Sequence, residues 1–220
     1  MPRPPTKTVR NRLIGAGLLV ILVIAMVLNT KFLTPEEVAA IAPKPFEPAA
    51  VAGDLYTKAT SDLSGQAAPL GEVVPALQSD VKGAAEKYHA VSPNEGAYDF
   101  PVTATGKVTE ASASSLRLQV EGVPSQTPII VPLSTAVNGT PVRDVMGFKF
   151  ADAPGQTEYQ YVADELKKLM IDNVDQSLAD PASLKGKKVT LLGVVSVQVI
   201  GNTVPKPKPI NVQPVTIEAA

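Results

Sequence analysis

The sequence predicts an α+β fold, mainly β with helices: an OB-fold-like small β-barrel preceded by a transmembrane helix and an amphipathic helix. Three observations carry this. The hydrophobic period is two from Phe100 to Phe150, becomes helical from Tyr159 to Val174, and returns to two from Val189. Three or four strands, one helix and two strands is the element order of the OB-fold, a five-stranded Greek-key barrel. Gly106 and Gly193 fall inside the first and fourth strands, where a small closed barrel bends sharply. An open sheet with a packed helix is the alternative arrangement of the same elements.

At the N-terminus Arg3, Lys7, Arg10 and Arg12 precede an uncharged stretch, Leu13 to Thr30, closed by Lys31. Eighteen residues at about 1.5 Å each reach about 27 Å, near the thickness of a hydrocarbon core. The cations before the stretch orient it with its N-terminus in the cytoplasm. A cleaved signal peptide has the same opening, but the residues after the apolar run, Met26 to Pro35, lack the small-residue pair that cleavage uses. The expectation is therefore a retained single-pass anchor in a bacterial inner membrane, with the C-terminal part in the periplasm. From Lys31 onward, 16 basic face 21 acidic side chains, a net −5, which suits neither anionic lipid nor nucleic acid.

The expected domains are 1–30, tail and anchor; 31–98, a Pro/Ala-rich stalk and amphipathic helix; and 99–220, the OB-like barrel. Pro35, Pro43, Pro45 and Pro48 allow at most short helical turns such as Glu36 to Ile41. Val73, Val74, Leu77, Val81, Ala84, Ala85 and Tyr88 predict one amphipathic helix, approximately Glu72 to His89. Phe100, Val102, Ala104 and Val108 open the first strand. Leu116, Leu118 and Val120 give a second, and Ile129, Val131 and Leu133 a third. Asn138-Gly139 predicts a turn, because both residues tolerate positive φ, and Phe148 and Phe150 mark a further extended stretch. The capping-box spacing of Thr157 and Gln160 opens the strongest helix, which stops before Asp180-Pro181. Val189 to Val197 and Ile210 to Glu218 complete the sheet across a Pro-Lys-Pro-Lys-Pro connector.

No catalytic constellation is legible. Cysteine is absent, which excludes disulfides, thiolate metal sites, a cysteine nucleophile and a cysteine-linked lipid. His89, the single histidine, ends a helix where a cation suits the dipole. No G-x-S-x-G elbow or phosphate-binding glycine loop is present. Asp172 and Asp175, one helical turn apart, read as a solvated face rather than a cation site, and Asn138-Gly139-Thr140 reads as a turn rather than a glycosylation acceptor. The expectation is no catalytic residue, no metal and no cofactor.

The most unusual cluster is Asn138, Thr140, Arg143 and Asp144, followed by Gln156 and Tyr159. In a strand Arg143 and Asp144 would face opposite sides, leaving one charge in need of a buried partner or a ligand. An arginine anchoring the turn competes with a ligand contact for that role.

Here the chain resembles an uncharacterised bacterial family of predicted periplasmic lipoproteins, a domain of unknown function. The matching elements run from Phe100 to Val108 with its Gly-x-Val, through Gly139-Thr140, Arg143-Asp144 and Phe148-x-Phe150, to Gln156–Leu166. Leu184-x-Gly186-Lys187-x-Val189 and Pro214-Val215 also fit, so the likeness covers Phe46 to the C-terminus. The resemblance implies an accessory role beside sugar ABC importers, with transporter components as partners, and carries over no catalytic residues. Many members have a lipidated cysteine, which this chain lacks, so attachment moves to the helix. The family's Asn before the pre-helix Gln is Gly155 here.

The expected function is a membrane-anchored, non-enzymatic periplasmic accessory or binding protein. The alternative is a module binding carbohydrate or another small solute on the barrel face near Arg143, although aromatic residues, at 5%, are few for stacking sugars. A hydrolase is the third and weakest reading.

Overall fold

The computed structural model describes residues 7–41, 45–199 and 209–219. The chain divides into two compact units, Met1–Pro45 and Phe46–Ala220. Arg3 and most of the Pro-Lys-Pro-Lys-Pro connector lie outside the described residues.

The first unit holds α1 (Lys7–Asn29) and α2 (Pro35–Ile41). At the end of α1 the Asn29 amide donates to the Ala25 carbonyl at 2.9 Å and the Thr30 hydroxyl to the Met26 carbonyl at 2.6 Å. These side chains satisfy carbonyls that a helix end leaves open. Leu18, Ile21, Met26 and Leu28 are all exposed. Among the described residues, however, no helix is long and apolar enough to cross a membrane. The expected span Leu13 to Thr30 is corrected accordingly. The described side chains run apolar without interruption from Ile14 to Leu28, about 22 Å of helix, and α1 ends at Asn29. In α2, Thr34 and Glu37 form a reciprocal capping box, with Glu37 N–H on the Thr34 hydroxyl at 3.2 Å and Thr34 N–H on the Glu37 carboxylate at 2.8 Å.

The second unit opens with α3 (Pro48–Asp62), a fifteen-residue helix where the sequence predicts only short turns. Pro48 stands at its first position, where proline's missing N–H is harmless, so the prolines start this helix rather than block it. Its small residues Ala52 and Ala59 are fully buried, with Val162, Leu166 and Met170 of a later helix among their cluster neighbours. The Tyr56 hydroxyl donates to the Val215 carbonyl at 2.8 Å, and burial, with help from the charge of Asp172, pushes its phenol up to about 12.

After the two-residue β1 (Ala68–Pro69), the predicted amphipathic helix is two helices, α4 (Leu70–Ser79) and α5 (Val81–Lys87). Asp80 between them is extended (φ −150°, ψ 103°), which breaks the axis while Leu77, Val81 and Ala84 stay buried. His89 follows in the left-handed region (φ 52°), as the residue after a helix end often is.

The sheet strands are β2 (Ala97–Ala111), β3 (Ser115–Val120) and β4 (Ile129–Pro132). They are followed by α6 (Thr140–Val145), α7 (Gln156–Ser177), β5 (Lys188–Gln198) and β6 (Ile210–Ala219). β2 is long enough to serve two partners, β5 along 97–107 and β3 along 106–111. β3 pairs antiparallel with β4, β4 parallel with β6, and β6 antiparallel with β5, so the circuit of pairings returns to β2. β1 adds in parallel to the edge of β2. The register shifts between Leu192 and Gly193. A Cβ on Gly193 would come within 2.6 Å of the Gln213 carbonyl oxygen, so glycine is needed at this bend for close approach.

Phe100, Val102, Leu116, Leu118, Val131, Leu191, Val195 and Ile217 fill the interior, with α4 and α5 packed against it. On the other side of the sheet, Leu192, Val194 and Val215 meet Val142 of α6 and Met170 of α7. That second layer positions the candidate site.

Candidate functional site

The expected extended segment around Arg143 is helical. α6 forms because Asn138 Oδ1 accepts the Thr140 N–H at 3.0 Å and Pro141, fixed near helical φ, follows at once. Asn138 is held in turn by its own N–H, which donates to Gln213 Oε1 of β6 at 2.8 Å. Gly139 does not use the positive φ that an Asn-Gly pair tolerates; its φ is −78°. Its role is close approach, since a Cβ there would collide with the Ala163 carbonyl and come within 2.8 Å of the Lys167 nitrogen, both on α7. α7 likewise begins one residue before the predicted cap, at Gln156, with extended Gly155 ahead of it. Phe148 and Phe150 are not in a strand, because Phe150 opens a single 3-10 turn, Phe150–Asp152.

Being on a helix, Arg143 and Asp144 are no longer forced to opposite faces, and they pair directly. Arg143 Nε and Nη2 donate to Asp144 Oδ1 at 2.9 and 2.8 Å, and both residues are buried (5% and 8% exposed). Arg143 Nη1 donates to the Tyr159 carbonyl at 3.1 Å. The guanidinium carbon lies 3.6 Å from the centroid of the Tyr159 ring, a close cation–π contact. The Tyr159 hydroxyl completes the cluster by donating to Asp144 Oδ1 at 3.3 Å. On the outside, Phe148 stacks on Tyr159 at 5.9 Å and Phe150 meets it edge-on at 5.6 Å. The Tyr159 phenol is pushed up, first by burial; the Asp144 charge adds to this and the Arg143 charge opposes it. This is the geometry of an anchor, with the ends and one face of the guanidinium already engaged by the protein.

The structure thus joins Arg143, Asp144 and Tyr159, sets Asn138 and Thr140 at the start of the same short helix, and leaves Gln156 exposed at the start of α7. It adds a residue that sequence reasoning missed. Asp99 of β2 is 1% exposed, and its Oδ1 has no hydrogen-bond partner. Burial pushes its carboxyl from the usual 3.8 up to about 6. The polar hydroxyl of Ser196, its register partner on β5, works against that rise, the charge of Asp144 adds to it, and the charge of Arg143 opposes it. The sequence held one faint signal: an acid in an otherwise apolar run, Tyr98-Asp99-Phe100-Pro101-Val102.

Two adjoining cavities lie along β2 and β3. One, of about 450 Å³, is lined by Glu72, Thr103, Thr105 and Thr190 among others. The next, of about 520 Å³, is lined by Lys107, Gln119, Ser125 and Lys188, and the two share Thr105, Val120, Glu121 and Gly122. Lys107 and Lys188 are directly opposed across the β2–β5 register. Among the described residues, no cluster of three histidine or acidic side chains is arranged to hold a metal ion.

Residues 18–218 match the model of a family described as Predicted periplasmic lipoprotein (DUF2291). No functionally curated protein matches the chain. Among solved structures, the chain is similar to an OB-fold protein from Thermotoga maritima, with a TM-score of 0.67 and 19% identity over 80% of this chain and 100% of that one. At that identity the likeness speaks to the fold, and it agrees with the OB-type strand order.

Proposed function

The chain belongs to the DUF2291 family of predicted periplasmic lipoproteins, and on that premise we propose that it is a non-catalytic accessory protein of the periplasmic face of the inner membrane. It works by binding a partner, and a component of a sugar importer is the partner that the family resemblance implies. One observation carries this reading: an apolar helix with exposed side chains, α1, is joined to a separately packed unit whose buried Arg143–Asp144 pair is satisfied internally. Exposed apolar surface of that extent supports contact with lipid or protein. α1 is then the element that engages the membrane, and the Phe46–Ala220 unit is the one that meets the partner. Crosslinking in native membranes followed by mass spectrometry tests this. Recovery of transport components under importer-inducing conditions is the expected result, and their absence counts against it. The mass of the membrane-extracted protein decides whether α1 is kept, because the intact chain has 23.0 kDa.

The adjoining cavities favour a second reading, a module for a small polar solute. Their hydroxyl, amide, carboxylate and ammonium lining suits a hydroxylated ligand, and with Arg143 engaged by its neighbours the ligand sits at Thr105 and Lys107 instead. A thermal-shift screen with sugars and sugar acids on the full chain distinguishes the readings. A stabilising hit that Lys107→Ala abolishes supports the ligand module.

A further inference from the structure

We propose that the seating of α6 on the sheet is proton-linked, with Asp99 of β2 as the group that gains and loses the proton. The inference requires neither the membrane nor the partner reading above.

It begins from geometry. Asp99 is tied in place by its backbone, with its N–H on the Val91 carbonyl at 2.8 Å and its carbonyl accepting the Val91 N–H at 2.9 Å. It is also in register with Ser196 of β5. Pairing on both sides therefore fixes the backbone from which its side chain projects. Its side chain is buried, and Oδ1 is left without a hydrogen bond. An ionised carboxylate in that condition lacks the donors that normally offset lost hydration.

The groups acting on it come from two neighbouring elements. From β5, the hydroxyl of Ser196, in register with it, favours the charge. From α6, Asp144 repels it and Arg143 attracts it. Arg143 is already spent on Asp144, holding the same carboxylate oxygen through two of its nitrogens. Tyr159 of α7 donates its hydroxyl to that same oxygen rather than to Asp99. The α6 side thus faces Asp99 with a largely neutralised pair, and no group donates a hydrogen bond to Asp99 Oδ1.

The sign of the linkage follows. A carboxyl raised in the folded state to about 6 costs the fold nothing below its ordinary 3.8, costs progressively more between 3.8 and 6, and levels off above. Protonation tightens the contact between α6 and β2, and deprotonation loosens it. If α6 opening exposes Asp99 fully, the opening constant rises about tenfold between pH 5 and pH 7.5. A periplasmic protein experiences such changes because that compartment follows the medium.

The test uses the full chain in detergent micelles, comparing wild type with Asp99→Asn. Hydrogen exchange at the Val142–Met146 amides, corrected for the intrinsic pH dependence of exchange, should give about tenfold more opening at pH 7.5 than at pH 5 in wild type. The variant should show a flat profile and greater protection at pH 7.5. Parallel profiles in the two proteins overturn the proposal. Should Asp99→Asn fail to fold, the wild-type protein decides: α6 opening that rises with pH in step with an Asp99 midpoint near 6, followed by carbon-detected NMR, sustains the proposal, and opening that is flat with pH or a midpoint near 4 overturns it.

Discussion

Asp144 of α6 and Asp99 of β2 are both buried and close enough for one charge to act on the other, yet the protein treats them in opposite ways. Asp144 Oδ1 receives two bonds from Arg143 and one from Tyr159. Asp99 Oδ1 receives none. Their exposures, 8% and 1%, are too similar to account for this. What differs is the local backbone. A helical turn lets a long arginine fold back on the next residue, whereas a strand presses its side chain flat under whatever covers it. Burial alone therefore does not decide whether a carboxylate holds a charge; the donors within reach decide it.

The largest expected effect comes from removing the donor. Arg143→Leu leaves Asp144 buried and uncompensated, and costs about 3–5 kcal/mol in urea unfolding at neutral pH. The Asp99 titration moves above 6 as well, because the Arg143 charge that lowers it is gone. Pairing Arg143→Leu with Asp144→Leu should recover most of the loss, since an apolar pair leaves no stranded charge. A double variant as unstable as the single one breaks the contrast, because the pair would then be acting through shape rather than charge.

Gly139→Ala should have the next largest effect. The added Cβ meets backbone of α7, which cannot rotate aside, so α6 is pushed off its seat at a cost of about 2 kcal/mol. Displacement of α6 also lets water reach Asp99, and its titration should fall toward 3.8. Urea unfolding and the NMR titration check both effects. A destabilised Gly139→Ala whose Asp99 still titrates near 6 would separate the seat of α6 from the burial of Asp99.

Much of this fold can be read in the residues, because period two and period 3.6 are both local. Phe100, Leu116, Val131, Val189 and Ile217 announce strands, and Val162, Leu166 and Met170 announce α7. The order of those elements carries the OB topology. α3 escapes that reading because Pro43, Pro45 and Pro48 are indistinguishable, as composition, from a stalk, although proline at a first helical position starts a helix. α6 is missed for a related reason. Thr140-Pro141 after an asparagine is a helix start, but six residues show too little periodicity to outweigh an Asn-Gly pair. Arg143, Asp144 and Tyr159 are singled out by type, while their pairing depends on α6 being helical. Asp99 stays hidden because an acid at an alternate strand position looks solvated until the fold buries it.

The smallest expected effect separates the two things Tyr159 brings to the cluster, its ring and its hydroxyl. The hydroxyl bond to Asp144 is long, at 3.3 Å, and falls on an oxygen already held by two arginine nitrogens. The ring lies against the guanidinium and carries Phe148 and Phe150 on its other sides. Tyr159→Phe keeps the ring and should cost less than about 1 kcal/mol, with the Asp99 midpoint unchanged because a neutral phenol adds no charge. Tyr159→Ala removes the cation–π contact and the aromatic packing together, and should cost about 3 kcal/mol. If Tyr159→Phe proved as costly as Arg143→Leu, the hydroxyl rather than the guanidinium would be the donor that matters most to Asp144. The contrast with Asp99 would then rest on α7 instead of α6.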